Sequence, residues 1–197
     1  MTDVAGDEHP SSPRSILKRM FEAAVAAASP LRCVPPWLPQ PPSGRTVVVG
    51  GGKAAAAMAA AVERCWTGDL SGLVVTRYGH NVSCNRIEVI EASHPIPDEA
   101  GRLGAERMLK MVQGLTENDL VICLLSGGAS ALLAAPAAEV AFADKQAINR
   151  ELLRSGATIR EINCVRKHLS KIKGGAAGSG GISGKRCFAD HFRCSKR

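Results

Sequence analysis

Thr46–Trp66 reads TVVVGGGKAAAAMAAAVERCW. Its first residues are a short β-branched apolar run, the pattern of a strand buried on both faces. From Lys53 onward the alanines favour a helix. Gly50, Gly51 and Gly52 make the turn between the two. A strand that passes through glycines straight into a helix is the unit of an open parallel sheet, whose ligands collect at the carboxyl ends of its strands. Glycines let the backbone approach an anion, and the helix N-terminus supplies free N–H groups. Lys53 adds a mobile positive charge. The turn is not a Walker A loop, because Ala54 stands where Ser or Thr would hold magnesium. It matches the dinucleotide pattern G-x-G-x-x-A only roughly, and a tight turn beside a solvated lysine has the same sequence.

Working outward, further strands are predicted over 72–78, 86–92 and 119–125. A helix is predicted over 12–28, with Ser12 as N-cap and Pro13 at the first helical position. Six prolines between Ser29 and Arg45 predict an extended connector, neither helix nor central strand. Another helix begins at about Pro97, with Leu103, Met108, Met111 and Leu115 on its buried side. A short one starts at about Ser130, and two more fit 139–154 and 158–171. Strands alternating with helices imply an α/β fold: a doubly wound, Rossmann-like, largely parallel sheet with helices on both faces. Aromatic residues are 4% of the chain, so Ala, Val and Leu must build the core.

Charge and cysteine usage exclude several classes. Of the net charge of +7, residues 176–197 contribute +4. The remainder is spread without a basic stripe, which argues against a nucleic-acid partner. No apolar run approaches the ~20 residues of a membrane span. Asp3, Asp7 and Glu8 stand where a secretory leader would be basic. The seven cysteines are odd in number and form no C-x-x-C, as expected of reduced thiols and not of a disulfide framework or zinc site. The expected location is the cytoplasm, with no membrane partner.

A second glycine turn follows the strand at 119–125. Ser126, Gly127, Gly128 and Ser130 offer two hydroxyls and several backbone donors at a helix start, an anion nest or a plain serine cap. No G-x-S-x-G elbow is present, so Ser126 is not read as an esterase nucleophile. His94, in the loop SHPIPDEAG after the third strand, is placed either to contact a polar substrate or to lie in solvent. In Asn163–Gly175, Arg166, Lys173 and either His168 or Ser170 share a face that is phosphate-facing or merely solvated. An NAD site would want an acid at the end of the second strand. That strand ends in Thr76-Arg77.

Together RTVVVGGGKAAAAM, SHPIPDEAG, DLVICLLSGGASALL and INCVRKHLSKIKGG resemble the second type of glycerate kinase, which phosphorylates D-glycerate at its 2-position. Members have often been labelled hydroxypyruvate reductase. The resemblance implies a Rossmann-like N-terminal domain closed by a smaller C-terminal one, with ATP and Mg2+ as cofactors and D-glycerate as the small-molecule substrate. It implies Lys53 as catalytic residue. It implies phosphate or substrate binding by Gly50, Gly51, Gly52, Ser126, Gly127, Gly128, Ser130, His94, Arg166 and Lys173; no metal ligand is assigned. Gly51 departs slightly from the family, which often has Ala there. The alternatives are an NAD(P)H-dependent hydroxypyruvate reductase and a non-catalytic nucleotide-binding fragment.

The matching motifs run from about residue 14 to 175, less than half of a usual member. The expectation is an incomplete N-terminal glycerate-kinase-like domain over 1–175, with its sheet truncated before completion and an unpaired edge exposed. Residues 176–197 are expected to be a disordered tail. Codons permitted by that tail, read in a shifted frame, can spell an apolar run ending in the Ser-Asp that members carry there. This implies a frameshift near Gly175 and little or no turnover from the chain as written. Oligomeric state is not set by any of these residues.

Overall fold

The computed structural model describes residues 9–173 and the backbone of 185–190. Its five strands are β1 (Thr46–Gly51), β2 (Leu70–Arg77), β3 (Ile87–Ala92), β4 (Leu120–Leu125) and β5 (Lys185–Asp190). All pairings are parallel, in the spatial order β3-β2-β1-β4-β5. The helices are α1 (Pro13–Ala27), α2 (Pro30–Cys33), α3 (Ala55–Cys65), α4 (Glu99–Met111), α5 (Ala129–Leu132), α6 (Phe142–Arg154) and α7 (Ile159–His168). The doubly wound α/β architecture expected from the sequence is the one observed. The chain reverses its direction of winding at β1, so β1 and β4 flank the switch point where such sheets bind ligands.

Alternation along the strands sorts the core into two layers. On one face, Val48, Val74, Ile122 and Leu124 pack with Met58, Ala59 and Val62 of α3. On the other, Leu73 and Val75 pack with Met108 of α4 and with Leu132 and Leu133. The alanines of α3 serve this packing: Ala55, Ala56, Ala59 and Ala61 are fully enclosed, so the helix axis lies close to the sheet.

The approach of α4 is closer still and corrects one expectation. Its buried residues are Gly101, Gly104, Ala105 and Met108, whereas Leu103 is 46% exposed. A Cβ on Gly104 would come within 2.7 Å of Val75 Cγ2. The helix thus presents its small residues to the sheet, and the large leucine is turned away. Asp98 caps α4 by accepting from the Gly101 N–H at 3.0 Å, and the Tyr78 hydroxyl donates to the same carboxyl at 2.8 Å. Ser12 caps α1 as the sequence predicts, accepting from Ser15 N–H.

Between β2 and β3 the chain crosses the sheet without a helix. Glu63 at the end of α3 pins this crossing, accepting backbone N–H groups of Asn85, Arg86 and Ile87. Burial alone would raise the pKa of this carboxyl, but the three donors and the Arg86 guanidinium hold it below its ordinary value.

Three further findings differ from the sequence reading. The proline-rich connector contains one turn of helix, α2, and a 3₁₀ turn over Pro35–Trp37. Prolines occupy the first helical positions there, where a missing N–H leaves no bond unmade. Residues Lys185–Asp190, expected to be disordered, pair with β4 in register from Leu120↔Lys185 to Leu125↔Asp190. The outer side of β4 is therefore paired, where the sequence reading expected an unpaired edge on the sheet without assigning its strand; the rest of 174–197 lies outside the described residues. Ile16, Leu17, Met20, Phe21 and Val25 of α1 are all exposed, so this helix buries no side chain of its own. The cysteines at 33, 65, 84, 123 and 164 are free thiols. Among the described residues no helix is long and apolar enough to cross a membrane.

Candidate functional site

The two glycine turns meet at the carboxyl ends of β1 and β4. Strand register sets Gly50 opposite Leu124 and Gly51 opposite Leu125, and the turns beyond are tied to each other. Lys53 N–H donates to the Gly127 carbonyl at 2.8 Å, and Ser126 N–H donates to the Gly51 carbonyl at 3.2 Å. Ala54 N–H donates to Ser126 Oγ at 3.0 Å, so this serine caps α3 from the neighbouring turn. Ala54 itself provides no side-chain cap, which is how a helix with alanine at its N-cap is accommodated. Thr76, fully buried at the end of β2, donates to the Gly52 carbonyl at 3.1 Å.

Backbone proximity makes the glycines obligatory. A Cβ on Gly50 would stand 2.0 Å from the Leu124 carbonyl oxygen. Gly52 has φ 136° and would set a Cβ 2.1 Å from Ser126 Oγ, and Gly128 has φ 94°. Gly127 has open space beside it. Among the described residues, the N–H groups of Gly127, Gly128 and Ser130 have no acceptor. They are donors clustered beside the N-terminus of α3, a concavity suited to an anion.

The charged groups that act on His94 beside this concavity are the cations Lys53, Arg77 and Arg166. Lys53 is exposed. The His94 ring lies over Gly128: a Cβ there would be 3.2 Å from His94 Nε2 and 3.5 Å from Lys53 Cγ. Partial burial, then the positive charges of Lys53, Arg77 and Arg166, push the His94 pKa below its ordinary value, so the ring is neutral at pH 7. The sequence-predicted Lys53, His94 and Arg166 are thus brought into one electrostatic neighbourhood, together with both glycine turns. None of Lys53, Arg77, Lys145, Arg166 and Lys173 forms an ion pair among the described residues.

Behind Arg166 the sequence-predicted Lys173 is joined by two residues that sequence reasoning missed, Lys145 and Asn149. Lys145 on α6 is 2% exposed, and its Nζ donates to the Leu169 carbonyl at 2.6 Å and the Ala135 carbonyl at 3.3 Å. Lys173 Nζ donates to the Leu133 carbonyl at 2.9 Å. Arg166 Nε donates to Asn149 Oδ1 at 2.6 Å. Burial, with Arg166 as a secondary cause, lowers the Lys145 pKa to about 8. Burial, then Lys145 and Arg166, lowers that of Lys173 to about 7. His168 Nδ1 instead contacts the Cys164 carbonyl of its own helix, in an exposed position. Ser170 bonds the Ala135 carbonyl.

These lysines have a measurable consequence. Their folded-state pKa values lie below the ordinary 10.5, so above about pH 7 the unfolded chain binds more protons than the folded one. Stability therefore rises with pH across 7–9, by at most ~1.4 kcal/mol per pH unit for each group. Urea unfolding at pH 6.5, 7.5 and 8.5 is expected to show a midpoint increasing along that series. A Lys173→Met variant is expected to flatten it.

Comparison with known proteins extends the picture. A family described as "Domain of unknown function (DUF4147)" matches residues 16–178. A protein of Agrobacterium vitis that carries a hydroxypyruvate reductase name is 55% identical over 83% of this chain and 38% of its own length. A Pyrococcus horikoshii protein named glycerate 2-kinase is 47% identical over 67% of this chain and 30% of its own. A crystal structure of glycerate kinase from Thermotoga maritima superposes with a TM-score of 0.79 at 38% identity, covering 90% of this chain and 44% of that one. The chain spans less than half the length of each of these relatives.

Proposed function

The chain belongs to the DUF4147 family, and from its likeness to proteins named glycerate 2-kinase and glycerate kinase we propose that it is the phosphate-binding portion of an ATP-dependent D-glycerate 2-kinase. The observation that carries the reading is the pair of linked glycine turns at the β1–β4 switch point, with N–H groups that have no acceptor and cations that form no ion pair among the described residues. Phosphoryl transfer depends mainly on positioning and on offsetting the charge of the transferring group. Gly50, Gly51 and Gly52 allow the close backbone approach. Gly127, Gly128 and Ser130 donate to phosphate oxygens, and Lys53 stands nearest as a mobile cation. The Ser126 oxygen is already engaged by Ala54, which leaves its proton to donate to the ligand.

In the reaction the 2-hydroxyl oxygen of D-glycerate bonds to the γ-phosphorus, the bond from that phosphorus to the β,γ-bridging oxygen breaks, ADP leaves with the bridging oxygen, and the hydroxyl proton is released to solvent. Among the described residues no group of three or more His, Cys, Asp or Glu is arranged to hold a metal; magnesium would come with the nucleotide, on its phosphates. The relatives carry additional length beyond the part matched here, and groups from such length would complete the site.

The reductase name carried by one relative raises the other reading. The end of β2 argues against an NADH form of it, because Thr76 is buried and bonded to Gly52 and no acid of β2 meets a ribose hydroxyl there; the exposed Arg77 would suit only the 2′-phosphate of NADPH. Calorimetric titration with magnesium-ATP and, separately, NADPH distinguishes the two. Binding of ATP alone is expected; binding of NADPH alone would favour the reductase.

A further inference from the structure

The donor that remains unmatched is in the second lobe of the cationic site. Arg166 is 8% exposed, and its Nη2 is enclosed without a hydrogen-bond partner among the described residues. A buried, unsatisfied donor is destabilising, all the more when it is charged. Asn149 orients this guanidinium through Nε and is itself fixed by donating to the Lys145 carbonyl at 3.0 Å. Lys145 and Lys173 close the same region, bonded only to the neutral carbonyls of Leu133, Ala135 and Leu169. Three cations within electrostatic reach of one another, two buried and Lys173 partly so, with no ion-pair partner among the described residues, describe a site suited to an anion that is not among those residues.

We propose that Arg166, Lys145 and Lys173 form a carboxylate pocket, distinct from the glycine-turn cradle, that holds the carboxylate of the small hydroxy acid accepting the phosphoryl group. This rests on the kinase reading and assigns its two anions to two places. The cradle consists of backbone donors and one mobile lysine, which suits the several oxygens of a phosphate chain. The second site contains a largely buried, planar guanidinium held by Asn149, which suits the two oxygens of a carboxylate. His94 lies over Gly128 and feels the charges of both Lys53 of the cradle and Arg166 of the pocket. Being neutral, it adds no charge that would draw the carboxylate toward the cradle.

The pH dependence follows from the groups that face Lys173, namely Lys145 from α6 and Arg166 from α7. An anion entering the pocket favours the charged form of Lys173. Binding near pH 7 therefore takes up protons, and affinity falls as pH rises from 6.5 to 8.5.

The test is a titration of the full chain, followed by amide 15N–1H spectra and calorimetry, with D-glycerate, inorganic phosphate and magnesium-ATP as separate probes. D-glycerate is expected to shift amides around Asn149, Arg166 and Lys173, and to bind at least about tenfold more weakly to an Arg166→Gln variant. The same variant is expected to lose less affinity for ATP than for D-glycerate. Should Arg166→Gln fail to fold, the parent's own pH series decides: weaker glycerate binding at pH 8.5 with proton uptake at pH 7 supports the pocket, and a flat series overturns it. Glycerate binding that is unchanged in a folded Arg166→Gln variant also overturns it. So does phosphate that displaces glycerate while shifting only the glycine turns. If ATP binds and glycerate does not, the pocket is refuted and the nucleotide reading stands; if neither binds, both fail.

Discussion

Replacing Lys53 by alanine is expected to weaken magnesium-ATP binding by about 10- to 100-fold, the range for losing one charged hydrogen bond to phosphate. The folded state should hardly change. The lysine side chain is exposed and bonds to nothing among the described residues, and the Lys53 N–H bond to the Gly127 carbonyl belongs to the backbone. Surface changes of this kind alter stability by less than about 0.5 kcal/mol. Calorimetry on a variant with a parent-like urea midpoint separates the two effects. Lys53→Arg keeps the charge and is expected to recover part of the affinity. Parent-like binding by Lys53→Ala would remove Lys53 from the site.

Gly50→Ala acts on the other side of the ledger between binding and folding. The new methyl would lie 2.0 Å from the Leu124 carbonyl oxygen and 2.8 Å from its carbon. Both atoms belong to the backbone of the neighbouring strand, so no rotamer relieves the clash, and β1 and β4 must separate where they frame the switch point. The expected destabilisation exceeds about 3 kcal/mol, beyond ordinary overpacking of a core, and would be read as loss of soluble protein or a large drop in urea midpoint. Gly127→Ala is the control. No atom approaches within 4 Å there and its φ is not positive, so its stability should stay within about 0.5 kcal/mol of the parent. A Gly50→Ala protein of parent-like stability would contradict the β1–β4 register.

The difference between these glycines was not legible in the sequence, although the turns were. The β-branched run at Thr46, the alanine helix after Lys53 and the glycine–serine turn after Leu125 are local signals, and each falls where the structure has its element. Ser12 and Pro13 announced α1 in the same way. What local pattern cannot give is proximity. Lys145 sits in FADKQAINRELLR, where an isolated lysine on a polar helix reads as solvated; only the folding of Ala135 and Leu169 around its ammonium makes it buried. Leu103 failed for the converse reason, because Gly101, Gly104 and Ala105 let α4 approach the sheet through its small side. Lys185–Asp190 was hidden by its glycine-rich approach, and its partner β4 lies 65 residues away in register. His94 was singled out as a loop residue, but its place over Gly128 is set by the crossing of two turns that are distant in sequence.

The most direct test is the amide 15N–1H spectrum of the full chain with magnesium-ATP added. Phosphates seated between the two glycine turns would shift Gly51, Gly52, Lys53, Gly127 and Gly128 together, and leave the exposed face of α1 unmoved. Saturable shifts confined to any other surface, or no shift at millimolar nucleotide, would contradict the proposal that this switch point is a phosphate site.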